Sequence, residues 1–313
     1  MNKQDNIDPM NDKIMLVAKL YYENKLSQQE IANRLNISRP WVSKLLSKAE
    51  ELGIVQITIN SPYSGNPDLE RRLKEKYNIS HAGVINTTDK SVDNLSLAVV
   101  NYFISQIQPD DVIGISWGNA VSRFVNALFP LHFPNTQVVP LAGSFGTTFD
   151  TLPNYNSIQL ANTIGGKANL LHIPAFCNSQ EEYNALISNA QTQEILSLGE
   201  HSDLIIVGIG SLASSFMIRN NILSDENIQE LKSADALGDI ALQFLSSDGK
   251  RVETSFTKRL IKADIFKATE HARSVIAVAE GKEKLDIIDV ALSLNVIDAF
   301  FTDEETALLL LSK

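Results

Sequence analysis

The chain has 313 residues, 44% of them hydrophobic, and carries 27 Lys/Arg against 37 Asp/Glu, which is enough apolar material for a core in each of two domains. It holds no run of eighteen apolar residues, and its first dozen residues, MNKQDNIDPMND, lack the basic start and apolar stretch of a signal peptide, so a cytosolic protein without a membrane partner is expected. A single cysteine, Cys177, excludes an intrachain disulfide, and His81, His132, His172, His201 and His271 make no pair at ligand spacing, so neither metal nor cofactor is expected.

The net charge of −10 argues against indiscriminate binding to nucleic acid, but the charges are unevenly spread. Residues 1–60 hold eight bases and seven acids, leaving 19 bases and 30 acids for the rest. From Ser38 to Lys48 there are three bases and no acid. Any contact of this acidic chain with DNA must therefore be made by that short segment and must be aimed.

Residues 12–24 place Ile14, Val17, Ala18, Leu20 and Tyr21 on one side of an amphipathic helix. Ser27 with Glu30 makes a capping box that predicts a second helix from about Gln28 to Leu35. Ser38 is expected to cap a third helix, with Pro40 in the first turn, where a missing N–H costs nothing, and Val42, Leu45, Leu46 and Ala49 facing inward. Two short helices joined by a tight turn, the second polar and basic at its start, suit insertion into the major groove of double-stranded operator DNA; the blander alternative is a helical hairpin used for dimerisation. The expected DNA-binding residues are Ser38, Arg39, Trp41, Ser43 and Lys44. Arg39 can pair with guanine, Ser43 and Lys44 can reach a base edge or phosphate, and Trp41 can pack on the backbone or a thymine methyl.

Gly53 then stops the helix, and Ile54–Ile59 alternates like a half-buried strand, the expected wing of a winged helix. Turn formers from Asn60 to Pro67 mark a linker, and a charged helix from Asp68 to Tyr77 opens the second part. The expected domains are residues 1–60 for DNA binding and 61–313 for effector binding and oligomerisation.

Beyond residue 80, β-branched runs alternate with helical patterns, as in an α/β domain with a parallel sheet covered on both faces. Expected strands are Ala82–Asn86, Val112–Ser116, Gln137–Leu141, Asn169–Ile173, Leu204–Val207, Val275–Ala279 and Val296–Phe301, with helices such as Asn119–Phe129 and Glu283–Leu294 between them. Ligands of such sheets bind outside the carboxyl ends of the strands, where glycine turns bring backbone N–H groups close to an anion. Four turns qualify: Gly114–Gly118, Gly143–Gly146, Gly208–Ser211 and Gly281–Lys284. The candidate effector-binding residues are Gly143, Ser144, Gly146, Gly208, Gly210 and Ser211 for backbone contacts, Asp239 between predicted elements for hydroxyls, and Lys284 for a phosphate. Arg123, Lys258 and Arg259 are weaker phosphate candidates, and Trp117 reads as core or cavity wall.

Taken in order, SQQEIANRLNISRPWVSKLL, GISWG, VVPLAG, DLIIVGIGS, GDI and VIDAFFTDEETALLLL resemble the SorC family of bacterial sugar-operon regulators over nearly the whole chain from residue 12. The resemblance implies an effector domain with the Rossmann-like fold of ribose-5-phosphate isomerase and glucosamine-6-phosphate deaminase. It implies a phosphorylated sugar as effector and a homo-oligomer, a tetramer or dimer of dimers. It also implies a phosphate contact at Lys284 and a hydroxyl-binding carboxylate at Asp239. One departure matters: the deoxyribonucleoside branch has an imine-forming lysine where this chain has Ala142, so covalent effector capture is not expected.

Two rival functions remain on the sequence. A sugar-phosphate isomerase or deaminase needs a positioned base and acid, and no histidine lies in a glycine-rich motif, so no catalytic residue is assigned. A nucleotide sensor would use Gly208–Ala213 as a dinucleotide fingerprint, but the segment after Asn221 reads as helix where the next strand should carry an acid.

Overall fold

The computed structural model describes residues 9–55, 65–86, 93–145, 152–219 and 222–313. It divides the chain into two compact units, Met1–Pro62 and Tyr63–Lys313.

In the first unit α1 (Pro9–Ala18) continues into one π-helical turn (Lys19–Glu23), followed by α2 (Gln28–Leu35) and α3 (Arg39–Glu51). The first helix thus begins three residues before the expected Asp12. Ile14, Val17, Ile31, Val42, Leu45 and Ala49 meet in one core, all essentially inaccessible. The Ser27 capping box forms with both of its bonds. Ser38 occupies the N-cap of α3 but makes no side-chain cap, contrary to expectation. A capping hydroxyl accepts from the second or third N–H of the helix; here the second residue is Pro40, and the Trp41 N–H already bonds the Ser38 carbonyl at 3.0 Å. The tight turn is made by Asn36, whose left-handed backbone (φ 52°) ends α2. Of the expected wing, only Ile54 and Val55 fall within the described residues.

The second unit runs α4 (Pro67–Tyr77), β1 (His81–Ile85), α5 (Asn94–Gln106), β2 (Val112–Ile115), α6 (Asn119–Ala127), β3 (Gln137–Pro140), α7 (Pro153–Ile164), β4 (Lys167–Ala168), α8 (Gln180–Ile187) and α9 (Ala190–Glu200). It continues with β5 (Leu204–Ser211), α10 (Phe216–Arg219), α11 (Asp225–Ser233), β6 (Ala236–Ile240), β7 (Gln243–Ser246), α12 (Ile265–His271), β8 (Ser274–Val278), α13 (Leu285–Ser293), β9 (Ala299–Asp303) and α14 (Glu304–Ser312). The strands order β1-β9-β8-β5-β2-β3-β4, every neighbouring pair parallel, with a β6–β7 hairpin attached antiparallel to β5.

Alternation along the strands builds the two faces. Ile113, Ile115, Leu204, Ile206, Ile276 and Val278 point to one core, closed by α5, α6 and α7. Ile205, Val207, Ile209, Val275 and Ala277 point to the other, closed by α4, α9, α12, α13 and α14. Burying each of these large side chains is worth about 1.5–3 kcal/mol, so the sheet is held from both sides.

Three expectations need correction. The strand at Asn169–Ile173 is reduced to Lys167–Ala168, because Asn154 takes both Leu171 backbone groups with its amide and Pro174 has no N–H to extend the ladder. The last strand is Ala299–Asp303 rather than Val296–Phe301. Finally, Gly208–Ser211 is not a turn: it is the far half of β5, in which Gly208 still pairs with Val278 of β8 while Ile209, Gly210 and Ser211 pair with β6. That pairing needs a close approach, since a Cβ on Gly238 would lie 1.9 Å from the Gly210 carbonyl oxygen.

Candidate functional site

At the carboxyl ends of β2, β5, β8 and β9 lies a cavity of about 690 Å³. Its walls are Ser116–Ala120 from the β2–α6 connection, Gly208–Ser211 of β5, Asp239 and Ala241 of the hairpin, Glu280–Lys284 after β8, and Asp303. Gly118, with φ +106°, is the N-cap of α6, and with Asn119 and Ala120 of the first turn it lines this space. Lys284 closes a 3₁₀ turn (Lys282–Lys284) leading directly into α13, one turn earlier in character than the α-helical position expected. Burial holds its ammonium below the ordinary lysine range, and the nearby Arg123 and Arg219 add to the effect.

Asp239 lies in strand β6 rather than between elements, facing Gly210 across the ladder. The absence of a side chain at Gly210 leaves room for the carboxylate, whose Oδ1 would be 3.1 Å from a Cβ built there. Oδ2 accepts the Leu242 N–H at 2.9 Å. Burial pushes this carboxyl up to about 6 despite that bond and the neighbouring charges of Lys262 and Lys284.

The structure thus brings Gly208, Gly210, Ser211, Asp239 and Lys284 around one cavity, with Trp117 in its wall. Gly143 and Ser144 lie elsewhere. Gly143 donates to Ile261, and Ser144 exchanges backbone bonds with Ile173 and Ala175, beside a separate hollow lined by Phe145, His172 and Phe176. Gly146 lies outside the described residues. Of the weaker candidates, Arg123 lines the cavity, whereas Arg259 is spent on the Cys177 and Asn178 carbonyls and Lys258 pairs with Glu253. Sequence reading missed Ser116, Asn119, Arg219 and Glu280. Glu280 had a signal, being the residue between a predicted strand end and a glycine.

In the first unit, Ser38, Arg39, Ser43 and Lys44 are exposed along one side of α3, and Trp41 is half-buried against the helical core. The Lys44 ammonium lies 5.5 Å from the centre of the Trp41 ring. Tyr22 anchors the other side of the unit by donating to Glu50 Oε1 at 2.7 Å, and that bond raises its hydroxyl to about 12.

Comparison with known proteins matches two family profiles. The Sugar-bind profile, a sugar-binding domain, covers residues 61–312, and sigma-70 region 4 covers residues 7–51. The chain is 30% identical to the sorbitol operon regulator of Klebsiella pneumoniae over 95% of its own length and 97% of that protein. It is 27% identical to the deoxyribonucleoside regulator of Bacillus subtilis (strain 168), covering 93% and 94%. The crystal structure of the full-length sorbitol operon regulator SorC superposes with a TM-score of 0.73 at 29% identity, over 96% of this chain and 98% of that one. With matches across both units, the chain belongs to the SorC family of DNA-binding transcription regulators.

Proposed function

We propose that residues 61–313 bind a phosphorylated sugar without covalent capture, that residues 1–60 bind operator DNA through Arg39, Ser43 and Lys44, and that the effector releases a repressor from a carbohydrate operon. The observation that carries this reading is that a half-buried lysine and a carboxylate with an oxygen to spare, Lys284 and Asp239, line the same cavity. The ammonium and the α6 N-terminus suit an oxyanion; Asp239, Ser116 and Ser211 suit sugar hydroxyls.

Ala142 offers no amine for an imine, and among the described residues lining the cavity Lys284 is the one lysine. A nucleotide reading is disfavoured because the fingerprint glycines should form a turn opening a helix, whereas Gly208 and Gly210 are strand residues. One helix-turn-helix contacts too few bases for genomic specificity, so the protein works as a homo-oligomer, a tetramer or dimer of dimers. Effector can loosen DNA only by binding the DNA-free arrangement of subunits more tightly.

The test is a thermal-shift screen against sugar phosphates and their unphosphorylated counterparts. A ligand at a hundred times its dissociation constant stabilises the fold by about 2.7 kcal/mol. A shift confined to a phosphorylated sugar and lost in Lys284→Ala is expected. A shift from free sugars or nucleotides alone would remove the phosphate from the assignment.

A further inference from the structure

Arg123, on α6, lines the cavity together with Lys284, yet its charge is already committed. Its Nη2 lies 2.5 Å from Glu280 Oε1, and its Nε is 3.5 Å from Asp93 Oδ2. The second contact pairs charge without a hydrogen bond, for Nε is buried and has no hydrogen-bond partner. Among the described lining residues, Arg123, Arg219 and Lys284 face Asp239, Glu280, Glu283 and Asp303. Glu283 and Glu280 act on Lys284 from nearby, but among the described residues neither Lys284 nor Arg219 is locked in a close ion pair as Arg123 is.

One phosphate brings a charge of about −1.5 to −2, which those two side chains and the α6 N-terminus can receive. A second phosphate would have to displace Glu280 from Arg123 or sit beside its carboxylate. Guanidinium matches phosphate in the same two-pronged way that it matches carboxylate, so Glu280 competes directly for the group that a second phosphate would use. We propose that the cavity admits an effector with one phosphate and rejects one with two, and that Glu280 sets this choice by holding Arg123. The inference rests on the sugar-phosphate reading above.

The experiment measures dissociation constants by calorimetry for paired probes: glucose 6-phosphate with glucose 1,6-bisphosphate, fructose 6-phosphate with fructose 1,6-bisphosphate, and ribulose 5-phosphate with ribulose 1,5-bisphosphate. The native protein is expected to favour the monophosphate of its best pair by at least about tenfold. In Glu280→Gln that ratio falls by about tenfold or more, as Arg123 and its unfilled Nε become available, and it returns in the double variant Arg123→Gln/Glu280→Gln. Should Glu280→Gln not fold, Glu280→Asp carries the test, since it withdraws the carboxylate by one methylene and is expected to narrow the ratio. A native preference for bisphosphate, a ratio unmoved by either Glu280 variant, or a double variant that still accepts bisphosphate overturns the role of Glu280. Binding of no phosphorylated probe by the native protein overturns the underlying reading, and this inference with it.

Discussion

The Asp239 carboxylate accepts the Leu242 N–H at 2.9 Å across a two-residue hairpin turn in which Ala241 and Leu242 both hold left-handed backbone, φ 49° and 63°. Such turns ordinarily use Asn-Gly or Gly-Gly, because each Cβ in that region costs about 1–2 kcal/mol. Here the conformation is held by the Asp239 bond and by Leu242, whose side chain is fully buried with Phe244 and Phe256. The carboxylate that faces the cavity therefore also fixes the loop that presents it. Ala241→Gly is expected to raise stability by about 0.5–1 kcal/mol in urea denaturation, once relief of strain is set against the added freedom of the unfolded chain. A loss of stability would show that the turn carries no strain.

Titration of Asp239 gives a pH dependence with a definite sign. Its folded value of about 6 lies above the ordinary carboxylate range, so the folded protein holds that proton more tightly than the unfolded chain. Its contribution to stability is therefore most favourable at low pH and declines as pH rises through the window ending near 6. In the proposed complex effector binding runs the other way, because the ionised carboxylate accepts from sugar hydroxyls through both oxygens and more strongly than the protonated acid. If that form is required, affinity at pH 5 is roughly tenfold below affinity at pH 7. The second ionisation of a phosphate falls near the same pH. Asp239→Asn separates the two: the slope that remains in the variant belongs to the phosphate, and an unchanged slope would mean that Asp239 takes no part.

Two serines at equivalent helix starts make opposite predictions. Ser27 accepts from Glu30 N–H and its own N–H is held by the Glu30 carboxylate, whereas Ser38 caps nothing. Ser27→Ala should cost about 1 kcal/mol and Ser38→Ala less than about 0.5. Unfolding followed by Trp41 emission, in a Trp117→Phe background, reads the first unit selectively. Equal losses would mean that the Ser38 hydroxyl has a structural partner after all.

These serines also show what a sequence can and cannot tell. Capping residues, helical periodicity and the β-branched runs are local signals, and the helices of the first unit and the strands β1, β2, β3 and β8 were legible from them to within a few residues. Asp239 was singled out as a carboxylate near glycines but read as a loop residue, because β6 forms by pairing with the end of β5 and with β7, and its turn breaks the usual residue preferences. The pattern around Gly143 read like the other glycine turns. What distinguishes it is the bonding of Ser144 to Ile173 and Ala175, thirty residues away, which no local pattern encodes. Arg123 and Glu280 lie 157 positions apart, and their pairing is equally invisible before folding.

On α3, Arg39 and Lys44 are predicted to fail in different ways. Both are exposed, and among the described residues neither is paired with a carboxylate. Arg39 stands in the first turn, where a recognition helix reaches base edges, while Lys44 lies one turn further along. Arg39→Ala should cost about 1–3 kcal/mol on the selected operator and relax preference at one base pair. Lys44→Ala should weaken all duplexes alike and reduce the salt slope by about one. Selection from randomised duplexes followed by fluorescence anisotropy at several salt concentrations distinguishes them, and a uniform loss with Arg39→Ala would make it a phosphate contact instead.

The proposed lack of covalent effector capture can be tested directly. Burial holds Lys284 below the ordinary lysine range, which increases the neutral amine available to attack a carbonyl. Two features oppose that attack. An anion bound beside the ammonium favours its charged form, and the charged form cannot form an imine. Ala142, two residues beyond β3, is fully buried and has no amine to substitute for it. Borohydride treatment in the presence of an aldose or ketose phosphate that shifts the melting temperature is therefore expected to leave the protein mass unchanged. A mass gain equal to the reduced sugar phosphate less the one water lost on imine formation, absent in Lys284→Arg, would instead show that Lys284 captures the effector covalently and that the phosphate is held by Arg219 and the α6 N-terminus.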